Sequence, residues 1–246
     1  PIRNMARRRI IASHSKRRTI PESVWPDAQD FVKLAMHWQS DATKILWGYV
    51  WQGWDSYCTK VLSKVDVSEV DDQLERMITQ DLELDIRHVM GGFPPFMIQH
   101  ERFEEQERSQ SPARPKQPDL TFVWYEYRSS KYPLEAKVLR SDNDVKAYVE
   151  EITENFLKFR YAPFTSEGGM LGYLLKGSAK KAFDNIAATV PCTLSDYPDC
   201  AGRDHRISDH DRVVPVDKQY PAKFRCHHLL LQLTKKTGAK KLEESP

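Results

Sequence analysis

The chain has 246 residues, of which 40% are hydrophobic and 29% are charged, as is typical of one globular domain with an appended segment. No apolar run approaches the length of a membrane span and no signal peptide is evident, so we expect no membrane contact. A formal net charge of +2 excludes a generally basic nucleic-acid coat protein.

Positive charge is concentrated at the start of the chain. Residues 1–18 contain seven Lys or Arg and no acidic residue, whereas residues 66–107 contain twelve Asp or Glu and three Arg. This asymmetry predicts a flexible basic arm, residues 1–18, on a mildly acidic body. Such an arm would follow a phosphate backbone or an acidic partner protein, or would act only as a solubilising tail.

Residues 19–66 form an aromatic-rich segment, within which residues 27–65 are predicted to be helical. Apolar residues recur there at steps of three and four, as on one face of a helix: Leu46, Val50, Trp54, Tyr57, Val61 and Val65. The tryptophans are predicted to pack in a core or an interface rather than to stack on bases. This apolar face predicts docking onto the body of the protein, onto a protein partner or across a homodimer.

Residues 67–234 are predicted to fold as an α/β core, followed by a C-terminal tail at residues 235–246. The first helix, over 68–90, ends at Gly91-Gly92 and has an apolar side made of Leu74, Met77, Ile78, Leu82 and Leu84. The elements that follow are predicted in this order: strand 96–100, a charged loop 101–117, strands 120–125 and 134–139, helix 143–160, strand 170–175 and helix 178–189. Residues 191–211 are predicted to be irregular, before closing strands at 212–216 and 224–233.

The most informative motif lies on the two neighbouring strands of this core. Pro118-Asp119 opens the first of these strands, and Glu135-Ala136-Lys137 follows sixteen positions after the aspartate, inside the second. Because alternate residues of a strand share a face, Glu135 and Lys137 point the same way. If the strands pair, Asp119 joins them, and two carboxylates and an ammonium group then crowd one small region. Buried charges are costly unless they are paired or bound to a metal, so a core strand has no packing use for this cluster.

This pattern resembles the PD-(D/E)XK nuclease superfamily, with Pro118, Asp119, Glu135 and Lys137 in the motif positions. The resemblance covers the middle of the chain and implies a restriction-endonuclease-like fold with a central mixed sheet flanked by helices. The predicted order of helix, strand, strand pair, helix, strand and helix matches the core expected for this superfamily. An ordinary surface hairpin with a Glu–Lys pair is the alternative.

The resemblance also implies the chemistry of the site. Asp119, Glu135 and the main-chain carbonyl of Ala136 would bind Mg²⁺, for which Mn²⁺ would substitute, and Lys137 would act beside the attacking water or the scissile phosphate. Members of the superfamily commonly add a glutamate from the first core helix. Glu75 is chosen over Glu83 because it shares a helix face with Thr79, and a solvated helix charge is the alternative for both.

Other residues are candidates for contact with nucleic acid. Arg160 follows the helix after the motif strand, and Ser208, His210 and Arg212 alternate along an otherwise irregular segment, so that an extended backbone would place the three on one face. The four cysteines, which contain no CxxC pair, disfavour structural zinc and fit a reducing cytoplasm: Cys58, Cys192, Cys200 and Cys226.

The sequence therefore predicts a Mg²⁺-dependent DNA endonuclease with Asp119, Glu135, Lys137 and Glu75 in its site. Restriction, repair and antiphage defence are the settings that the resemblance implies, and a chain of this size would serve as the nuclease subunit of a larger defence complex. Two alternatives stay open. The chain would be an inactive nuclease-fold subunit for binding or assembly, or a nuclease that acts on RNA.

Overall fold

A computed structural model describes residues 40–91, 96–100, 117–124 and 131–233. Within those ranges the chain is an α/β protein in which one seven-stranded mixed sheet is flanked by four helices. None of the described helices combines the length and the apolar composition needed to cross a membrane. The predicted basic arm, most of the charged loop at 101–117 and the predicted tail lie outside the described residues.

The helices and strands of the described chain follow the predicted order closely. The helices are α1 (Ser40–Lys60), α2 (Asp71–Met90), α3 (Lys146–Glu151), which continues as a π-helical turn over Ile152–Phe156, and α4 (Ala179–Thr189). The strands are β1 (Phe96–His100), β2 (Leu120–Trp124), β3 (Lys131–Leu139), β4 (Glu167–Leu174), β5 (Ser195–Asp196), β6 (His205–Asp211) and β7 (Lys223–Gln232).

The sheet has the strand order β1-β2-β3-β4-β7-β6-β5. β1, β2 and β3 form an antiparallel meander, and β4 then lies parallel to β3 after the crossover through α3. β7 is parallel to β4 and antiparallel to β6. The motif strand β3 is therefore central, with an antiparallel neighbour on one side and a parallel neighbour on the other.

Two hydrophobic clusters cover the two faces of the sheet. One joins the sheet to α1 and α2, and the other joins it to α3 and α4. α1 and α2 pack closely because position 53 has no side chain, since a Cβ on Gly53 would lie 2.4 Å from Cγ1 of Ile86. On the same face, a Cβ on Gly169 would lie 2.4 Å from the Trp47 ring.

The packing role predicted for the aromatic residues of α1 is confirmed. Trp47, Trp51, Trp54 and Tyr57 are all buried, and they belong to the same cluster as the sheet. Trp47 stacks on the His227 ring with 4.8 Å between ring centroids. The helix therefore docks onto the body of this chain, and its tryptophan rings are not exposed as a platform for bases.

Two details of the predicted elements are wrong. Leu84, predicted on the apolar side of α2, is 61% exposed, while Ile86 and Met90 are buried. The apolar side of α2 continues from Leu82 to Ile86 by a step of four, which leaves Leu84 on the opposite face.

The second error concerns the closing strands. Residues 205–211, predicted to be irregular, form β6, whereas residues 212–216 lie outside any strand. β6 has no apolar alternation because its buried positions hold His205 and Ser208. Their polar atoms are satisfied by other buried polar groups, a situation that hydrophobic periodicity does not detect.

Buried histidines connect α1, β6 and β7 through hydrogen bonds. The Trp51 indole N–H donates to Nδ1 of His205 at 3.3 Å, and Nε2 of His205 lies 3.0 Å from Nδ1 of His227. Because an indole N–H can only donate, His205 carries its proton on Nε2 and donates to His227. On the other face, the Tyr148 hydroxyl forms a hydrogen bond of 3.1 Å with Nδ1 of His228.

These histidines are neutral in the folded protein. Burial, together with the neighbouring histidines, lowers the pKa of His205 to about 2 and that of His228 to about 3, and burial also lowers the pKa of His227. The unfolded chain binds protons at these groups below about pH 6.5 while the folded chain does not. Their contribution to stability is therefore complete above about pH 6.5 and is lost as the pH falls toward the folded pKa.

We predict that His228→Gln flattens the acid dependence of stability. Below about pH 6.5 the wild type should lose about 1.4 kcal/mol more per pH unit than the variant, because one fewer group gains a proton on unfolding. Urea unfolding between pH 8 and pH 5 measures this difference, and other titrating groups cancel because both proteins share them. Parallel curves for the two proteins would contradict the neutral state of His228.

Candidate active site

The site forms at the start of β2, where β3 continues past it. Leu120, the first residue of β2, pairs with Leu134, so that from Glu135 onward no strand of the described residues pairs with β3 on this side. The other side of β3 remains paired with β4 as far as Leu139. Backbone N–H groups that face the missing neighbour need other acceptors, because an unpaired buried N–H is costly.

Two carboxylates supply those acceptors. The Ala136 N–H donates to Oδ2 of Asp119 at 2.8 Å, and the Val138 N–H donates to Oε2 of Glu75 at 3.2 Å. Asp119 also donates its own backbone N–H to Oε2 of Glu135 at 3.3 Å. The N–H groups along this edge of β3 thus hold the carboxylates of Asp119 and Glu75, which come from outside the strand.

The Lys137 ammonium lies at the centre of the cluster. It is 2.9 Å from Oε1 of Glu75, 3.2 Å from Oε1 of Glu135 and 2.7 Å from the main-chain oxygen of Ala136. The exposed fractions of these side chains are 17% for Lys137, 16% for Glu75 and 6% for Glu135. The four residues predicted from the motif and from α2 are therefore brought together, and Glu83 instead pairs with Arg87 within α2.

Burial and the crowding of negative charge determine the pKa values of the site residues. Burial, reinforced by the Asp119 charge, raises the pKa of Glu75 to about 7 even though Lys137 opposes the shift. Burial likewise raises the pKa of Asp119, and burial together with Asp119 raises that of Glu135. For Lys137 burial lowers the pKa, but attraction to Glu135, Glu75 and Asp119 outweighs it, so the net pKa is raised and the lysine is charged.

A small pocket of about 140 Å³ opens beside these groups. Its walls are formed by Asp72, Glu75, Arg76, His100 and Asp119. His100 ends β1 opposite Leu120, which puts its ring near Asp119. The pocket gives the carboxylates of Glu75 and Asp119 a route to a ligand from the side of α2.

Sequence reasoning missed Glu151 and His100, which lie around the site, and pointed to Tyr161 only as one of the polar groups that end the helix after the motif strand. The charge of Glu151, in α3, contributes to the raised pKa of both Asp119 and Glu135. The Tyr161 hydroxyl donates to the main-chain oxygen of Gln117 at 3.2 Å, two residues before Asp119. His100 could have been found only from the register of β1 on β2. The helical position of Glu151 after the motif strand was the available signal for that residue.

The residues in and directly after β6 that were predicted to contact nucleic acid are not gathered at this site, and Arg160 is exposed. Ser208 is buried on β6, with its Oγ 2.6 Å from Nε2 of His210 and 2.7 Å from Nε2 of His228. β6 is three strands from β3, on the order of 14 Å at the usual strand spacing.

Arg212 is occupied within the protein. Its buried guanidinium donates to the main-chain oxygens of Ala162, Thr165 and Pro221. Ser208, His210 and Arg212 do alternate, as predicted, but Ser208 and Arg212 are directed to buried polar partners. This placement does not favour a phosphate-binding role for Arg212.

The donor set suits a hard divalent cation by type. Three carboxylates and a main-chain carbonyl are the ligands that Mg²⁺ prefers, and a bound cation would favour the charged form of these carboxyl groups, whose pKa values burial raises. Over the described ranges, however, no three carboxylate, imidazole or thiol groups are arranged closely enough to hold a metal ion. The Lys137 ammonium lies between Glu75 and Glu135, so binding of a cation to both requires these side chains to rearrange.

Comparison of the chain with models of protein families, with curated proteins and with solved structures gave no match. The functional interpretation therefore rests on the geometry of the site and on the motif.

We predict that Lys137→Met destabilises the protein by about 3–5 kcal/mol in EDTA at pH 8, because buried carboxylates then lose their counter-charge. Lys158→Met is the matched control, since Lys158 also pairs with a carboxylate, Glu154, but the two side chains are 56% and 51% exposed. The control should cost about 1 kcal/mol or less. Urea unfolding compares the two variants, and equal small losses would show that the cluster does not depend on Lys137.

Proposed function

We propose that this protein is a metal-dependent nuclease that hydrolyses DNA phosphodiester bonds. The observation that carries the proposal is the convergence of Asp119, Glu135, Lys137 and Glu75 at the start of β2, beside β3. Three carboxylates and an ammonium group beside a small pocket are suited to phosphoryl chemistry. The alternative of a surface hairpin with an ordinary Glu–Lys pair is disfavoured, because Glu135 and Lys137 are largely buried and a third element contributes Glu75.

The order of the elements gives independent support. α2 is followed by the antiparallel meander of β1, β2 and β3, then by α3 and by β4 parallel to β3. This is the order expected of a restriction-endonuclease-like core, which the motif alone does not require. The proposed assignment of the chain to the PD-(D/E)XK superfamily uses both lines of support together.

In the proposed mechanism the carboxylates of Asp119, Glu135 and Glu75, with the carbonyl of Ala136, would hold Mg²⁺ or Mn²⁺. The bound cation would supply an acidified water and would neutralise charge on the phosphate. Lys137, released from Glu75, would orient the attacking water or would donate to a phosphate oxygen as negative charge develops there. The backbone N–H groups of Ala136 and Val138 hold Asp119 and Glu75 beside β3 before a cation binds.

One observation favours a second candidate function. The carboxylates of Glu75 and Glu135 both pair with the Lys137 ammonium, and among the described residues no group of three metal-ligating side chains is close enough to hold a metal ion. Such an ion-pair cluster can have a purely structural role. In this alternative the chain is an inactive nuclease-fold subunit that binds or assembles with a partner. The two candidates differ in whether a divalent cation enters the cluster.

A cleavage assay on supercoiled plasmid, linear duplex, single-stranded DNA and RNA, with Mg²⁺ or Mn²⁺, tests the proposal. We predict cutting of DNA that EDTA abolishes and that falls by about 10³-fold or more in Asp119→Asn, since the lost ligand acts on the reacting groups. Cutting of RNA alone would support the RNA nuclease. No cutting by the wild type, together with an unchanged melting temperature on addition of Mn²⁺, would support the inactive subunit.

Two glutamates of α2 form a matched pair for a second test. Glu75→Gln removes a charge from the cluster, and we expect it to lower the cleavage rate by about 10–100-fold. Glu83→Gln changes the same residue type on the same helix but affects only the pair with Arg87, so cleavage should stay near the wild-type rate. Equal rates for the two variants would remove Glu75 from the proposed site.

A further inference from the structure

Tyr161 lies beside the segment that leads into Asp119. Its side chain is 1% exposed, and its hydroxyl donates to the main-chain oxygen of Gln117 at 3.2 Å. Burial raises the pKa of Tyr161, and the charges of Glu135, Glu151 and Asp119 add to the shift. The phenol is thus bonded to the segment that carries Asp119, two residues before the carboxylate.

An irregular backbone brings Tyr161 to this place. After α3 the chain forms a π-helical turn, and the N–H groups of Arg160 and Tyr161 both donate to the main-chain oxygen of Asn155, at 2.8 and 3.1 Å. Phe159 and Ala162, on either side of Tyr161, have φ values of 62° and 52°. Bulky residues rarely adopt this left-handed conformation, and such strain persists only where the surroundings hold it.

Arg212 holds the strained segment from behind. Its guanidinium donates to the main-chain oxygens of Ala162 at 2.9 Å and of Thr165 at 3.0 Å. The same group lies 4.3 Å from the centre of the Phe159 ring. Residues on both sides of Tyr161 are therefore fixed by one buried side chain from the end of β6.

We propose that Tyr161 is a positioning residue for the cleavage reaction, holding the segment before Asp119 in place; the inference rests on the proposed function. The phenol touches neither the phosphate nor the attacking water in this role. It acts through the carbonyl of Gln117. Arg212 acts one step further away, by fixing the segment that presents the phenol.

Tyr161→Phe tests the role with minimal disturbance, because only the hydroxyl is removed. Tyr148→Phe is the matched control: this tyrosine of α3 is also fully buried, and its hydroxyl bonds His228 rather than the site. We expect Tyr161→Phe to lower kcat and the affinity for Mn²⁺ about tenfold, with KM for DNA unchanged, as for other groups that support a ligand from behind. Tyr148→Phe should change none of the three quantities.

A measurement that does not depend on cleavage separates this inference from the proposed function. Melting temperatures are compared for Asp119→Asn, for each tyrosine variant and for the two double variants. The shifts should be non-additive for Tyr161→Phe with Asp119→Asn and additive for Tyr148→Phe with Asp119→Asn, because Tyr161 bonds the segment that carries Asp119 whereas Tyr148 bonds His228.

The outcomes are distinct. Non-additive shifts with a wild type that does not cut would support the coupling of Tyr161 to Asp119 and overturn the nuclease proposal. A wild type that cuts, with a Tyr161→Phe variant of unchanged kcat and unchanged Mn²⁺ affinity, would overturn the positioning role. Additive shifts for both pairs would overturn it in every case.

Discussion

The constraint on which the site depends is that β2 starts only at Leu120. A strand buried in a sheet must satisfy its N–H groups, and β3 continues beyond Leu134, the residue that pairs with Leu120. The acceptors that replace β2 are the carboxylates of Asp119 and Glu75, which accept from Ala136 and Val138. Carboxylates in such a place need a counter-charge, and Lys137 provides it from the same strand. Backbone hydrogen bonding therefore gathers the charged groups, and their electrostatics follow from that gathering.

Because β2 does not cover β3 beyond Leu134, side chains from both helical layers can reach the site. Glu75 reaches it from α2 on one face of the sheet, while Glu151 and Tyr161 approach from the α3 side. This requires the layers to be fixed relative to the sheet. On the first face, Gly53 allows α1 to approach Ile86 of α2, and Trp47 stacks on His227. On the second, Arg212 fixes the segment after α3. Residues far from the site thus determine its geometry through packing.

The parts of the fold that were predictable are those whose cause is local in the chain. Alternation in β3 put Glu135 and Lys137 on one face, and a helical step of four from Glu75 to Thr79 selected Glu75 over Glu83; Thr79 indeed bonds the Tyr173 hydroxyl at 2.9 Å. β6 was not predictable, because its buried positions are polar and their partners come from other strands and helices. Tyr161 was not assigned to the site either, because a π-helical turn and two left-handed residues carry it there. Neither feature has a periodic sequence signal.

The energetics of the cluster favour a function over a purely structural role. A buried ion pair often contributes little to stability, and well-packed apolar residues of similar size can replace it at no loss. Here several carboxylates share one ammonium, and burial, together with the Asp119 charge, raises the pKa of Glu75 to about 7 even though Lys137 opposes the shift. A fold that needed only to close the edge of β3 could do so with neutral acceptors such as amides, which carry no charge to desolvate. Excess negative charge beside an open pocket is instead what a cation site requires before its cation arrives. In that case Lys137 has two successive partners, the carboxylates in the absence of the cation and the phosphate in its presence.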